Sequence, residues 1–160
     1  MALEKLLTSH RKWMQAALRE ARRAFDEGEI PVGAVVVKNE MIVGRGRNMV
    51  ERLLDPTAHA ELLAITAACT TLESKLLRGA TLYVTLEPCP MCAGAIVWSR
   101  LDRVVFGAFD EKAGAASTLY NIPQDARLNH TVEIVSGVES ESAADILKAF
   151  FQKRRQTSDK

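Results

Sequence analysis

The segment Pro88-Cys89-Pro90-Met91-Cys92 brings two cysteines close together directly after an apolar, strand-like stretch. Upstream, the segment His59-Ala60-Glu61 adds a histidine and, two residues later, a carboxylate. One histidine and two cysteines are three good zinc ligands, and three protein ligands leave one tetrahedral position open. A catalytic zinc needs such an open position to hold and activate a water molecule. The two segments therefore predict a reactive metal site.

Around these segments, helix-like and strand-like patterns alternate along the chain. Strands are predicted for residues 30–37, 41–43 continuing toward 48, 81–86, 104–109 and 132–135, from their β-branched and apolar content. Helices are predicted for residues 11–27, 55–73 and 90–98 and around 143–151, from apolar residues at three- and four-residue steps. Helices between strands predict an α/β sandwich whose sheet is mostly parallel after an initial hairpin.

In this interpretation, all three ligands lie at helix N-termini. The pair Asp55-Pro56 suits an N-cap followed by the first helical residue, which places His59 in the first turn. Cys89 and Cys92 lie at the start of the next helix, whose positive end favours the thiolate form. Because each helix follows a strand, we expect both to begin at the same edge of the sheet, where ligands gather in open α/β folds.

Composition narrows the class of protein. With 160 residues, 48% of them apolar, the chain is expected to form one compact domain over residues 1–160. The net charge of +1 excludes a general basic field, so any nucleic-acid contact must come from a local patch. No long apolar run or secretory signal is present, so we expect no membrane span. Three cysteines without a disulfide framework fit a reducing, cytoplasmic setting.

The two cysteines also allow other interpretations. A Cys-x-x-Cys pair can serve redox chemistry, but no oxidoreductase pattern surrounds this one. A structural zinc site needs a fourth protein ligand, and the remaining candidates are Cys69, His10 and His130. None of them has a paired spacing, and Cys69 lies within an apolar helix pattern as a small core residue would. The site is therefore expected to stay open.

Glu61 also has two interpretations. A glutamate in the first turn of a helix is favoured by the helix dipole alone. Two residues after a metal ligand and opposite two cysteines, a carboxylate can also take a proton from the activated water and deliver it to a leaving nitrogen.

The histidine-glutamate and cysteine segments together resemble the signature of the zinc-dependent nucleoside and nucleobase deaminases, H-x-E followed by P-C-x-x-C. The resemblance extends to the bacterial tRNA-specific adenosine deaminases in particular and covers about residues 11 to 156. The stretches that carry it are residues 29–35, 55–61, 81–89, 91–95 and 103–108, the pair Asn129-His130, and the ending Phe150-Phe151 to Arg154-Arg155.

This resemblance implies a three-layer α/β/α cytidine-deaminase-like fold with a central mixed five-stranded sheet, and a homodimer with one zinc ion per subunit. It implies hydrolytic conversion of adenosine to inosine at the wobble position of a tRNA anticodon. His59, Cys89 and Cys92 carry over as zinc ligands and Glu61 as the proton shuttle. The expected substrate contacts are Asn48, Ala60 and Leu86 around the base and, more loosely, Asp55, Asp110, Asn129, Phe150, Phe151, Arg154 and Arg155.

The RNA backbone requires positive charge nearby. The candidates are Arg45, Arg47, Arg52, Lys153, Arg154 and Arg155, although basic residues near a helix C-terminus also complement the helix dipole. Asn48 has an alternative as a turn residue. The zinc motif alone leaves open a free nucleobase or nucleoside deaminase, for guanine or cytosine, and a non-catalytic zinc-stabilised RNA-binding module.

Overall fold

Five strands form one mixed sheet at the centre of the structure, a computed structural model that describes residues 1–159. They are β1 (Gly33–Lys38), β2 (Met41–Arg47), β3 (Thr81–Leu86), β4 (Arg103–Ala108) and β5 (Glu133–Val135), in the order β2-β1-β3-β4-β5. β1 is antiparallel to β2 and to β3, whereas β3, β4 and β5 are parallel. The mixed five-stranded sheet is confirmed. After the initial hairpin of β1 and β2, the remaining strands pair in parallel as expected, and only the junction between β1 and β3 is antiparallel.

Helices cover both faces of this sheet. They are α1 (Ala2–Asp26), α2 (Val50–Leu53), α3 (Ala60–Leu72), α4 (Pro90–Trp98) and α5 (Ser140–Ser158). α1 and α5 pack on one face and α3 and α4 on the other, which confirms the three-layer α/β/α fold. Within residues 1–159, no helix is both long enough and apolar enough to cross a membrane.

Strand residues alternate between two cores, as the two-residue period of a strand requires. On β3, Leu82 and Val84 pack in the α3–α4 core, whereas Tyr83 between them packs in the α1–α5 core. Because both faces are covered, the central strands are almost entirely apolar, which is the sequence pattern of buried strands.

The predicted helix start at Asp55-Pro56 is wrong. The Asp55 carboxylate accepts hydrogen bonds from the Thr57 backbone N–H at 2.8 Å and from the Thr57 hydroxyl at 2.7 Å. These bonds hold a local turn, a known alternative to helix capping for aspartate. α3 begins only at Ala60, with His59 as its N-cap residue, and a separate short helix, α2, precedes the turn. α1 also begins earlier than the predicted residue 11.

α3 lies unusually close to β2. A Cβ atom on Gly46 would stand 2.2 Å from the Ala60 carbonyl oxygen, and one on Gly44 would stand 2.3 Å from that of Ala64. Any side chain at these glycines would therefore push the helix away from the sheet. This backbone-to-backbone contact fixes where α3 begins, and so where His59 and Glu61 lie.

A buried polar pair lies in the core on the α1 side. His10 is buried, and its Nδ1 atom is 2.9 Å from the hydroxyl oxygen of Tyr83. Burial and the nearby charge of Arg103 lower the pKa of His10, with Glu133 opposing them. Burial raises the pKa of Tyr83 to about 12, so its hydroxyl remains available to donate to a neutral imidazole.

We predict that this histidine makes the protein less stable in acid. As the pH falls below the ordinary histidine pKa of 6.5, the unfolded chain binds a proton that folded His10 resists binding. The free energy of unfolding should therefore decrease from neutral pH toward the lowered pKa. Urea titrations at several pH values would measure this slope, and His10→Gln should make it shallower. An identical slope in the variant would contradict the prediction.

Candidate metal and catalytic site

The three predicted ligands meet at one edge of the sheet, where β2, β3 and β4 end. His59 is the N-cap residue of α3, and Cys89 is the N-cap residue of α4, with Cys92 in the first turn of that helix. Their ligand atoms all lie within 4.8 Å of one another. The expectation that both helices begin at the same sheet edge is confirmed, so residues 30 positions apart in sequence form one cluster.

The donor set fits a zinc ion. The Nδ1 atom of His59 is 3.6 Å from the sulfur of Cys89 and 3.5 Å from that of Cys92. Tetrahedral zinc with ordinary Zn–S and Zn–N bonds would separate nitrogen and sulfur by about 3.6 Å. Among residues 1–159, the metal-ligand group contains these three side chains and no fourth. His10 and His130 are engaged elsewhere, with Tyr83 and with the Leu101 carbonyl.

The sulfurs of Cys89 and Cys92 share one proton through a hydrogen bond. The hydrogen bond from the Cys92 thiol, helped by His59 and against the effect of burial, lowers the pKa of Cys89 to about 4. The same hydrogen bond, together with burial, raises the pKa of Cys92. One sulfur is thus a thiolate, and the proton between the two is the one that a cation displaces when both bind as thiolates.

Glu61 lies beside this cluster in the first turn of α3 and is only 4% exposed. Burial raises the pKa of its carboxyl, and hydrogen bonds from its own backbone N–H and from Cys92 act in the opposite direction. A carboxyl group held in a largely dry place next to a metal position is suited to accepting and releasing a proton.

A cavity of about 160 Å³ opens beside the cluster. It brings together seven residues singled out from the sequence, namely Asn48, His59, Ala60, Glu61, Leu86, Cys89 and Asp110, and four others, Ile30, Val32, Glu87 and Ala113. This volume is below the range of about 300–1,000 Å³ that is usual for drug-sized ligands. The cavity therefore suits a fragment such as one base and not a whole nucleotide chain.

Asn48 is held firmly at one rim of the cavity. Its backbone N–H donates to the Val32 carbonyl at 3.0 Å, and its Oδ1 accepts from the backbone N–H of Val50 at 3.1 Å. Buried Glu29 supports the same rim, because its carboxylate accepts the N–H groups of Glu51 at 3.2 Å and Arg52 at 2.7 Å in the first turn of α2. Asn48 is thus a fixed group, as a base contact requires.

Two buried glutamates in this region, Glu29 and Glu87, hold backbone segments in place. The segment Leu86-Glu87-Pro88 is predicted from the sequence as cavity wall, and Glu87 does line the cavity, whereas no role is predicted for Glu29. Glu87 is 2% exposed, and its carboxylate binds backbone N–H groups of the segment after β4. Burial would raise the pKa of the Glu87 carboxyl, but hydrogen bonds from Thr118, Asp110 and Ala116 outweigh burial and lower it. The signal in the sequence was a charged residue at the end of an apolar strand, directly before Pro88-Cys89.

The other predicted substrate contacts lie outside the cavity. Phe150 is 6% exposed and packs edge-to-face on Phe25, so its ring supports the C-terminal helix from inside. Phe151, Arg154 and Arg155 line a separate surface concavity together with Lys112, Leu147, Lys148, Gln152 and Ser158. Asn129 lies in another concavity beside Trp98. Their contact with RNA stays a prediction.

Two of the basic residues predicted to contact RNA, Arg47 and Arg52, are engaged in ion pairs. Arg47 donates to both carboxylate oxygens of Glu27, at 2.8 and 2.9 Å, and Arg52 lies 3.3 Å from the same carboxylate. Asp55 is exposed enough to reach solvent but is held in its turn by Thr57. Arg45, in contrast, is exposed on β2. Lys153, Arg154 and Arg155 are also exposed, so they are better placed for phosphate contact than Arg47 or Arg52, which pair with Glu27.

Comparison with known proteins agrees with this fold. The family model described as MafB19-like deaminase matches residues 8–155. The class of protein is therefore a deaminase, as the His-Cys-Cys cluster and the adjacent glutamate indicated.

More specific relatives are also found. The tRNA-specific adenosine deaminase of Bacillus subtilis is 50% identical over 149 residues, which cover 93% of this chain and 92% of the relative. A solved structure from a study of A-to-I editing by tRNA:A34 deaminases at the wobble position superposes with a TM-score of 0.81, at 41% identity, covering 84% of this chain and 98% of the other. The chain belongs to the tRNA-specific adenosine deaminase family.

A guanine deaminase from Bacillus subtilis is also similar, but less so. Its structure gives a TM-score of 0.60 at 34% identity, covering 69% of this chain and 81% of the other. The resemblance to the tRNA-specific enzymes is both stronger and more extensive.

We predict that metal binding depends on Cys92 and not on Cys69. Cys92 is fully buried at the cluster, so Cys92→Ser should lower metal affinity by about 100-fold or more. Cys69→Ser provides a matched control, because Cys69 packs partly buried against the core of α3 and is outside the cluster. Metal content of the purified proteins would decide, and equal content in both variants would contradict the assignment.

Proposed function

We propose that this protein is a zinc-dependent adenosine deaminase that converts adenosine to inosine at the wobble position of a tRNA anticodon. The observation that carries the proposal is the buried Glu61 carboxylate beside a three-ligand metal cluster at the wall of a base-sized cavity. We further propose one zinc ion per subunit, held by His59, Cys89 and Cys92, and one deaminase domain over residues 1–160 with its core at about 11–156. Of these, Lys160 lies outside the described residues.

When bound, zinc lowers the pKa of a coordinated water toward about 7 and so supplies a hydroxide nucleophile. Glu61 takes the proton of this water and delivers it to N1 of adenine while the oxygen bonds to C6. Glu61 then takes the proton of the new C6 hydroxyl and transfers it to the amino group, so that the C6–N bond breaks, ammonia leaves and the C6 carbonyl forms. The product is inosine, and Glu61 returns to its starting state.

The remaining cavity residues hold the base. The Asn48 side chain offers both a donor and an acceptor to a purine edge. Its Oδ1 already accepts from Val50, and Ala60 and Leu86 provide apolar wall. An anticodon loop is single-stranded, so its base can enter the cavity with little unstacking cost.

The homodimer and the cytoplasmic location are also proposals, which rest on the family resemblance. Large apolar side chains stay exposed on one chain, among them Leu54 at 88% and Trp98 at 74%. Exposed apolar residues mark a protein-binding surface where they form one contiguous patch, so the second copy is proposed from the resemblance.

The direct test is incubation of the zinc-loaded protein with total bacterial tRNA, followed by mapping of inosine. Free adenosine, cytidine and guanine, assayed in parallel, separate the tRNA enzyme from a nucleobase or nucleoside deaminase. Inosine at the wobble position and no reaction of the free compounds is the expected result. Binding of tRNA without any inosine would favour a non-catalytic module instead.

We predict that Glu61→Gln lowers the deamination rate by about 10²–10⁴-fold, because an amide cannot accept and deliver the proton. Zinc content should stay unchanged, since Glu61 is not among the three ligands. Glu73→Gln, at the exposed C-terminal end of the same helix, should leave the rate unchanged. Full activity of a zinc-loaded Glu61→Gln enzyme would rule out the proposed proton shuttle.

We predict that the paired change Arg154→Ala and Arg155→Ala weakens tRNA binding and makes it less dependent on salt. Removing two phosphate contacts should reduce the slope of log affinity against log salt by about two. The control pair is Lys75→Ala and Arg78→Ala, two exposed residues that precede β3 at the opposite edge of the sheet from the cavity. A salt titration giving the same slope for wild type and Arg variant would remove this role.

A further inference from the structure

The segment that follows β4, residues 109–118, folds around one buried carboxylate. Glu87 Oε1 accepts the backbone N–H of Asp110 at 3.2 Å. Glu87 Oε2 accepts the N–H groups of Ala116 at 3.2 Å, Ser117 at 3.0 Å and Thr118 at 2.9 Å. The Thr118 hydroxyl also donates to Oε1. Five donors from one loop thus converge on the Glu87 carboxylate, which follows the end of β3. These hydrogen bonds anchor the loop to the sheet.

The loop is also shaped to leave room for this carboxylate. A Cβ atom on Gly114 would stand 2.5 Å from the Glu87 carboxylate and 2.5 Å from the Asp110 carbonyl oxygen. The backbone N–H of Ala115 donates to the Pro88 carbonyl at 2.8 Å, which ties the loop to the residue next to Glu87. Only a glycine at position 114 lets the loop close this tightly.

This anchored loop forms part of the cavity wall. Asp110 and Ala113 both line the cavity, and the Asp110 carboxylate accepts the N–H groups of Lys112 at 3.0 Å and Ala113 at 3.2 Å. The metal ligands and Glu61 are not on this loop, because they lie at the starts of α3 and α4. The loop can therefore affect how a base fits without altering the groups proposed for the chemistry.

We propose that Glu87 is a positioning residue for the bound nucleotide. Its carboxylate sets the place of the wall that Asp110 and Ala113 provide, and through that wall it sets the fit of the target base. The inference rests on the proposed function, since it names how the same cavity holds its substrate.

The principal test is Glu87→Gln, assayed with an anticodon stem-loop as substrate. The amide keeps one acceptor oxygen but turns its N–H₂ group toward backbone donors. Loss of hydrogen bonds to a charged group should raise KM by about tenfold, while kcat changes by less than about threefold. Zinc content should be unchanged, and backbone amides of Asp110, Ala116, Ser117 and Thr118 should exchange with solvent faster.

Two milder or complementary variants keep the inference testable if Glu87→Gln folds poorly. Thr118→Val removes only the hydroxyl donor, and it should raise KM in the same direction by about threefold. Gly114→Ala displaces the loop from its other side. Combined with Glu87→Gln, it should raise KM by less than the product of the two single effects, because both changes disturb one contact. Glu111→Gln, an exposed change in the same loop, is the matched control.

The outcomes are distinct. A lower kcat at unchanged KM would mean only that less enzyme is folded, and it would overturn the positioning role. An unchanged KM in Thr118→Val and in Glu87→Gln would overturn it as well. If wild type formed no inosine in tRNA, the proposed function would fail; an unchanged KM in an active variant would overturn only the role of Glu87.

Discussion

The arrangement of this protein depends on one steric constraint, the contact between the backbones of β2 and α3. Gly44 and Gly46 carry no side chain, so the carbonyl groups of Ala60 and Ala64 can lie directly against the strand. That contact sets the depth at which α3 begins, and α4 begins at the same sheet edge after β3. Because His59 and Cys89 are both N-cap residues, the metal cluster is a consequence of where two helices are allowed to start.

Three buried glutamates lie in or near the cavity wall, and they are not equivalent: Glu61 and Glu87 line the cavity, and Glu29 holds the start of α2. Glu29 and Glu87 accept several backbone N–H groups each, so their negative charges are satisfied and they act as fixed supports. Burial dominates for Glu61, whose pKa is raised, whereas hydrogen bonds lower that of Glu87. The same residue type thus serves as an anchor or as a proton carrier, depending on how many donors the backbone provides.

Much of this could be predicted from the sequence, because the strongest signals are local. The central strands are continuous apolar runs. The residue types and the spacing of Cys89, Cys92 and His59 indicate metal ligands. The turn at Asp55 was misread, since an aspartate before a proline suits a helix cap as well as a turn, and only the contact with Thr57 decides. The anchoring roles of Glu29 and Glu87 could not be predicted, because their hydrogen-bond partners are backbone groups 22 to 31 residues away in the sequence.

The two rims of the cavity are held by different buried glutamates, Glu29 and Glu87, and neither glutamate is a metal ligand. Asn48 lies beside α2, whose first turn Glu29 anchors, and Asp110 lies in the loop that Glu87 anchors. The metal ligands and Glu61 belong to the starts of α3 and α4. Because the supports are separate, substitutions in the rims can change which base fits the cavity while the metal ligands and Glu61 stay in place. The same reactive centre can therefore serve different bases through changes confined to the rims of the cavity.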